Sequence, residues 1–295
     1  MGKVAIVTDS NSGFTQKEAQ RLGIYVLPMP VYINGEMYYE DINLSQEEFY
    51  RHLKADAEIS TSMPLVGDVM NRWESLLKEY DEIVHIPMSS GLSGSCSAAM
   101  SLAEEYEGQV FVVDNKRISV TQKQSVLDAK AMADRGLGAS AIKERLLDTM
   151  YDSSIYISVE TLHYLKKGGR LTPAVAAIGS FMHIIPVLQI QGEKLDSYAK
   201  CRTMKAARMM MLKAMCKDIQ DRFSSDKEAK DINIEIAYTG MYTEEVDSWK
   251  QEVEEAFSAH KGNIMADPLS LSVSCHIGPG ALAIACSKKI AVKDV

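Results

Sequence analysis

What this chain lacks narrows its chemistry before any motif is considered. Its five cysteines, at 96, 201, 216, 275 and 286, form no CxxC pair and share no metal-ligand spacing with histidine. An odd set of unpaired thiols excludes a disulfide scaffold and fits a reducing compartment. There is no GxxxxGK(S/T) phosphate loop, no GxGxxG dinucleotide fingerprint, no GxSxG elbow and no HExxH zinc motif, so the usual signatures of nucleotide, hydrolase and zinc chemistry are missing. No metal or cofactor is expected. Positive charge is also in deficit: 32 Lys and Arg against 40 Asp and Glu leave a net charge of −8, which argues against nucleic acid or an anionic membrane as a standing partner. Local basic clusters occur only at Lys166-Lys167-Gly168-Gly169-Arg170 and at residues 200–205. The most apolar window, residues 173–190, is interrupted by Gly179, His183, Pro186 and Gln189. It is too broken for stable membrane insertion and reads as a buried helix followed by a strand. Residues 1–7 run into a strand with no signal-peptide pattern, so a cytoplasmic location is expected. No repeat, low-complexity tract or Pro/Ser-rich linker is visible.

What is present divides into two textures. At 295 residues the chain exceeds the usual single-domain size, so two domains are expected, with a ligand between them. The first half alternates strand and helix. Residues 4–8 read as a short strand; Thr15-x-x-Glu18 is a capping box for a helix that Gly23 stops; Ser45-x-x-Glu48 starts another. A helix over 64–80, a strand over 83–86, a helix after Ser93, a strand over 110–113 and helices over 124–135 and 139–150 follow. That alternation predicts a parallel sheet in an α/β domain spanning residues 1–153. From 154 to 295 the pattern changes to an α+β one. Strands are expected at 155–159 and 187–190, a tight turn at 191–193 leading into 195–199, a Met-rich helix over 203–223, a strand over 232–238, a helix over 244–259, and strands at 263–266 and 271–275.

The most informative stretch is Ser89-Ser90-Gly91-Leu92-Ser93-Gly94-Ser95, a hydroxyl-rich turn where a strand feeds a helix. Free N–H groups and the macrodipole at a helix start favour an anion, and glycines let a ligand approach. The same residues also suit an ordinary serine cap. Thr61 and Ser62, just ahead of Pro64, place a second pair of hydroxyls at a helix start. Thr8-Asp9-Ser10 falls at another strand end, where ligands of open sheets collect. In the second half, Arg170 follows two glycines and His276 precedes a Gly-Pro-Gly turn. His276 reads first as a backbone-bonded turn residue; the alternative is a base for a Ser93 nucleophile in a hydrolase or transferase, which no spacing in the sequence demands. Seventeen methionines, three of them at 209–211, suit either core filling or an adaptable cavity.

Eight segments in order resemble the DegV family: Val-Thr-Asp-Ser at 7–10, Thr-Ser-x-Pro at 61–64, the serine-glycine turn at 89–95, Val-Val-Asp at 112–114, Leu-Lys-Lys-Gly-Gly-Arg-Leu at 165–171, Pro-Val-Leu at 186–188, Lys-x-Arg-Thr at 200–203 and His-x-Gly-Pro-Gly at 276–280. The resemblance implies a two-domain protein that binds a long-chain fatty acid between its domains. In many bacteria such a protein presents the acid to a separate ATP-dependent kinase that makes acyl phosphate. By the same resemblance Thr61 and Ser93 hold the carboxylate, Ser62, Ser90, Gly91, Arg170 and His276 are head-group neighbours, and Arg202 faces the kinase. The chain departs from the family pattern at Met63, where Gln is common, at Ile185, where Lys is common, and at Val120-Thr121-Gln122, where a glycine-containing turn is usual.

Overall fold

The computed structural model describes residues 2–177, 184–192, 194–224, 226 and 228–290. Strand β1 (Val4–Asp9) is buried from its second residue onward, as a strand covered on both faces must be. Helix α1 (Gln16–Leu22) begins where the Thr15 hydroxyl accepts the Glu18 N–H and ends at Gly23, φ +67°. Strand β2 (Ile24–Leu27) follows. Next comes a small antiparallel sheet absent from the sequence expectation: β3 (Pro30–Ile33) lies between β4 (Glu36–Tyr39) and β5 (Ile59–Thr61). Helix α2 (Gln46–Lys54) is started by Ser45, whose hydroxyl accepts the Glu48 N–H. Helix α3 (Val66–Leu76), β6 (Glu82–Ile86), α4 (Ser95–Ala103) and β7 (Val110–Val112) complete a parallel sheet of order β2-β1-β6-β7. Helices α5 (Ser119–Asp134) and α6 (Ala139–Asp148) pack Val126, Met132, Ile142 and Leu146 on one face of it. Trp73 and Leu76 of α3 and Cys96 of α4 cover the other.

The remaining chain builds a six-stranded mixed sheet of order β10-β9-β8-β13-β11-β12, antiparallel except for the β11–β12 pair. Its strands are β8 (Ser153–Ser158), β9 (Ile185–Ile190), β10 (Leu195–Cys201), β11 (Ile232–Tyr238), β12 (Met265–Pro268) and β13 (Leu282–Lys288). Short helices α7 (His163–Lys167) and α8 (Pro173–Ala176) lie between β8 and β9. Of the expected helix over the apolar window only α8 falls among the described residues; Gly179 and His183, and Glu193 of the expected turn, lie outside them. Helix α9 (Met204–Asp218) runs on into a wider π turn over Ile219–Phe223. Together with α10 (Glu244–Ala256) it buries Met211, Met215, Trp249 and Val253 against one face of the sheet. The other face, through Ile155, Ile157 and Leu188, joins Met29, Met88 and Ile118 from the first half. That shared core is the seam of the molecule.

Two expectations are corrected. Residues 271–275 are not a strand but the start of helix α11 (Leu271–Ile277), because Leu271 and Cys275, four apart, both enter the core formed by β3 and α2. Val120-Thr121-Gln122 is not a loop but the first turn of α5. There the Gln122 amide donates to the Thr8 hydroxyl, the Asp9 carboxylate and the Ile86 carbonyl at 3.1, 3.2 and 3.2 Å, which ties the ends of β1 and β6 together. No helix among the described residues is long and apolar enough to cross a membrane.

Because all three acceptors are buried, Gln122→Ala is expected to lower unfolding free energy by about 1–3 kcal/mol, measured by urea denaturation. A change within experimental error would mean that the network contributes nothing net.

Candidate functional site

Thr61 is the last residue of β5, opposite Val31 of β3, and the Ser62 N–H donates to the Pro30 carbonyl at 3.2 Å. The expected helix start is not there: α3 begins at Val66, and its N-cap Leu65 provides no side-chain bond. A strand end, held by its ladder, therefore aims the Thr61 hydroxyl. The turn between β6 and α4 departs from expectation in another way. Its N–H groups are mostly spoken for: Ser90 donates to Asp114, Gly91 to the Ser89 hydroxyl, Leu92 and Ser93 to the Ser89 carbonyl, and Ser95 to the Ser93 hydroxyl. These donors, expected to be free for an anion, instead fold the turn, which leaves side-chain hydroxyls to meet a ligand. The Ser90 hydroxyl is committed as well, donating to Asp114 at 2.5 Å and accepting from Lys116 at 2.8 Å. Burial pushes the Asp114 carboxyl up, but the bonds from Lys116 and Ser90 outweigh it and hold the group below its ordinary value.

His276 sits in the last turn of α11. Its Nε2 lies 3.1 Å from the Thr61 hydroxyl oxygen, and its Nδ1 is buried with no hydrogen-bond partner among the described residues. Burial, with Arg170 adding, lowers its pKa from 6.5 to about 4, so the ring is neutral at pH 7. The ring packs flush on Gly168, where a Cβ would fall 2.0 Å from Nδ1. Gly278, at φ +82°, similarly leaves room for the Tyr164 ring, which a Cβ would meet at 2.2 Å. The glycines of both motifs are thus needed for α7 and α11 to touch. The Arg170 guanidinium donates to the Gly168 carbonyl at 3.0 Å beside the same ring.

These pieces surround one cavity of about 630 Å³, within the range of small-molecule sites. Thr61, Ser62, Gly91, Ser93, Arg170 and His276 all line it. Ser90 does not, and neither does Arg202, which is exposed in the turn between β10 and α9. Most of the remaining wall is apolar, drawn from both halves of the chain: Met29, Met63, Met88 and Ile118 on one side, Leu165, Ile190, Leu195 and Ile277 on the other. A few hydroxyls, a neutral imidazole and one guanidinium set in an oily wall suit an amphiphile with an anionic tip.

The sequence model of the family described as "Uncharacterised protein, DegV family" matches residues 3–289. The chain belongs to the DegV family. A DegV domain-containing protein of Staphylococcus aureus is 29% identical over 98% of this chain and 100% of its own length. A Thermus thermophilus structure, described as fatty acid binding of a DegV family protein, superposes with a TM-score of 0.87 at 28% identity, covering 97% of this chain and 99% of that one. The Bacillus subtilis structure described as DegV, a fatty acid binding protein, gives 0.82 at 25% identity over 98% and 100% of the two chains.

Within this DegV-family protein the three departures from the family pattern fall in different places. Met63 lines the cavity. Ile185 packs with the α9 cluster on the other face of the sheet, away from the cavity. Residues 120–122 brace β1 and β6, as described above. Sequence reasoning missed Asn11 and Ser272, two buried polar residues of the cavity wall. Their only signal was position: Asn11 follows the Thr-Asp-Ser group at a strand end, and Ser272 lay in a segment read as a strand.

At pH 6 the His276 ring should give the nitrogen shifts of a neutral imidazole in ¹⁵N NMR. The unfolded chain takes up that proton below about pH 6.5, whereas the folded one resists until about pH 4, so stability should fall as pH drops through that window. Gly168→Ala should displace the ring from Thr61 and move its titration back toward 6.5. A mutant ring that still titrates near 4 would show that the close approach is not what fixes it.

Proposed function

We propose that this protein binds a long-chain fatty acid in the seam cavity, with the carboxylate held by the Thr61 and Ser93 hydroxyls. Ser62, Gly91, Arg170 and His276 surround the head group, and Ser90 braces the turn through Asp114. The observation that carries this reading is that two hydroxyls from separate elements, the end of β5 and the turn before α4, open on one largely apolar cavity beside a neutral imidazole. The fatty acids named for the Thermus and Bacillus relatives support it.

The energetics divide the roles. About fourteen buried methylenes at ~0.8 kcal/mol each give roughly 11 kcal/mol before ordering costs, against about 1.5–3 for one charged hydrogen bond. The tail sets affinity and the head sets orientation. On this reading the chain is a non-catalytic, cytoplasmic carrier built of two domains, residues 1–153 and 154–295. It presents the carboxylate to a separate ATP-dependent kinase for acyl phosphate formation, with Arg202 on the kinase-facing surface. The sequence carries no Walker-type phosphate loop, in keeping with a phosphate donor bound elsewhere. For a hydrolase that uses Ser93 and His276, the arrangement is poor. The imidazole faces Thr61, and no carboxylate orients its Nδ1 among the described residues.

Organic extraction of protein expressed in bacteria, followed by mass spectrometry, should release a long-chain fatty acid in near-stoichiometric amount; none released would overturn the assignment. Thr61→Ala and Ser93→Ala should each weaken binding about tenfold. Together they should abolish acyl phosphate formation with a fatty acid kinase, because phosphoryl transfer depends on carboxylate position. A fluorophosphonate probe should leave Ser93 unlabelled, and labelling there would favour the nucleophile reading.

A further inference from the structure

Thr61, Arg170 and His276 have a second side. Besides the seam cavity they line a smaller chamber of about 150 Å³, completed by Ser60 of β5 and by Tyr164 and Lys167 of α7. The three residues therefore form a partition between two spaces of different character. The seam cavity is largely walled by methionine, leucine and isoleucine, whereas the smaller chamber carries the cationic Lys167 and Arg170, and no Asp or Glu lines it. At about 30 Å³ per water it has room for about five waters, too little for a lipid tail and enough for one tetrahedral oxyanion. Ser60, Lys167 and Arg170 are exposed, so a group held by another protein can reach the chamber from solvent. Neither cation is locked. The Lys167 ammonium donates to the Asp56 carboxylate at 2.9 Å and the Ala57 carbonyl at 3.4 Å, but the two side chains of that ion pair are 40% and 86% exposed. A pair so open to water contributes little, and exchanging Asp56 for another anion costs correspondingly little. Arg170 commits one nitrogen to the Gly168 carbonyl, which leaves most of its five N–H donors for an oxyanion.

Resting on the fatty-acid reading above, we propose that this chamber is a phosphoryl subsite: it receives the phosphate of the acyl phosphate formed on the bound acid, with Lys167 and Arg170 as its counter-charges. In that transfer a carboxylate oxygen forms a new bond to the γ-phosphorus of ATP while the bond from that phosphorus to the bridging oxygen breaks, and its electron pair leaves with ADP. The single negative charge of the acid becomes the two of an acyl phosphate. The added charge appears beyond the carboxylate, on the side away from the tail. A carboxylate at Thr61 has the apolar cavity on one side and the cationic chamber on the other, because Thr61 lines both. The new group thus enters a space already lined with positive charge, which favours the product's extra charge over the substrate's single one. The Leu-Lys-Lys-Gly-Gly-Arg-Leu segment at 165–171 supplies both cations, and its two glycines let the chain turn between them.

The test uses the delipidated full-length protein, titrated calorimetrically with palmitate and with the β-ketophosphonate in which a methylene replaces the bridging oxygen of palmitoyl phosphate. The ketophosphonate should bind at least as tightly as palmitate, and its affinity should fall more steeply with added salt, since it carries the second charge. Lys167→Gln should lower the ratio of ketophosphonate to palmitate affinity about 3- to 10-fold, the loss of one hydrogen bond of ordinary strength. Inorganic phosphate added to palmitate-loaded protein should bind far more weakly than the ketophosphonate, because it lacks the tether to the tail. A ketophosphonate that binds more weakly than palmitate, equal salt slopes, or a ratio that Lys167→Gln leaves unmoved overturns the subsite while the fatty-acid reading stands. Phosphate binding as tight as that of the ketophosphonate overturns it too, in favour of a site for free anions. If neither palmitate nor its analogue binds, the fatty-acid reading fails with it.

Discussion

The 3.1 Å contact between the His276 ring and the Thr61 hydroxyl joins the last turn of α11 to the end of β5. That junction positions the Thr61 and His276 side of the polar end of the cavity. The ring in that contact is uncharged because it is buried against Gly168 with Arg170 close by. A protonated imidazole there would face a guanidinium across a partly desolvated gap. The same burial that keeps the ring neutral also leaves Nδ1 without a partner. A neutral imidazole carries one donor and one acceptor nitrogen, so leaving Nδ1 unpaired is a cost imposed by the close packing on Gly168.

The serine turn solves a different problem by a different route. A loop rich in glycine and serine is entropically expensive to hold in one shape. Here Ser89 accepts from Gly91, Leu92 and Ser93, and Asp114 clamps Ser90 from both its backbone and its hydroxyl. Spending the N–H groups internally stiffens the turn before any ligand arrives, which reduces the ordering cost at binding. An anion is then met by rotatable hydroxyls on a rigid base. On the proposed reading, such donors suit a carboxylate whose exact tilt is set by a long tail.

Legibility in the sequence followed how local each determinant was. Thr15 and Ser45 cap their helices through residues three positions away, so both helix starts were readable. The strand over Ile232–Tyr238 was readable because its apolar alternation is unbroken. Helix α11 was not, since Leu-Ser-Val-Ser also alternates with a period of two. Only the distant cluster of Val31, Phe49 and Leu53, which takes in Leu271 and Cys275, decides for a helix. Strand β13 hid for a related reason. Its Ala, Cys and Ser residues carry little strand signal, and it is a strand because β8 and β11 flank it on both sides. Strands β3, β4 and β5 are three or four residues long, too short for periodicity to register. At the site, the motifs located Thr61, Ser93 and His276, whereas the cavity wall, including Asn11, came from elements that meet only in three dimensions.

The methionines show how one composition serves two ends. On α9, Met211 and Met215 are fully buried against the sheet, where a flexible side chain merely fills an irregular core. Met29, Met63 and Met88 instead stand on three separate segments around the cavity. An unbranched side chain with several rotatable bonds can follow the contour of a bent or substituted chain at small energetic cost, where Leu or Ile would demand a single shape. Rigidity is therefore concentrated at the hydroxyl end, in β5, the serine turn and the His276 contact, and compliance along the wall. Filled as proposed, a site built this way would hold the head of a fatty acid closely while accepting variation in its tail.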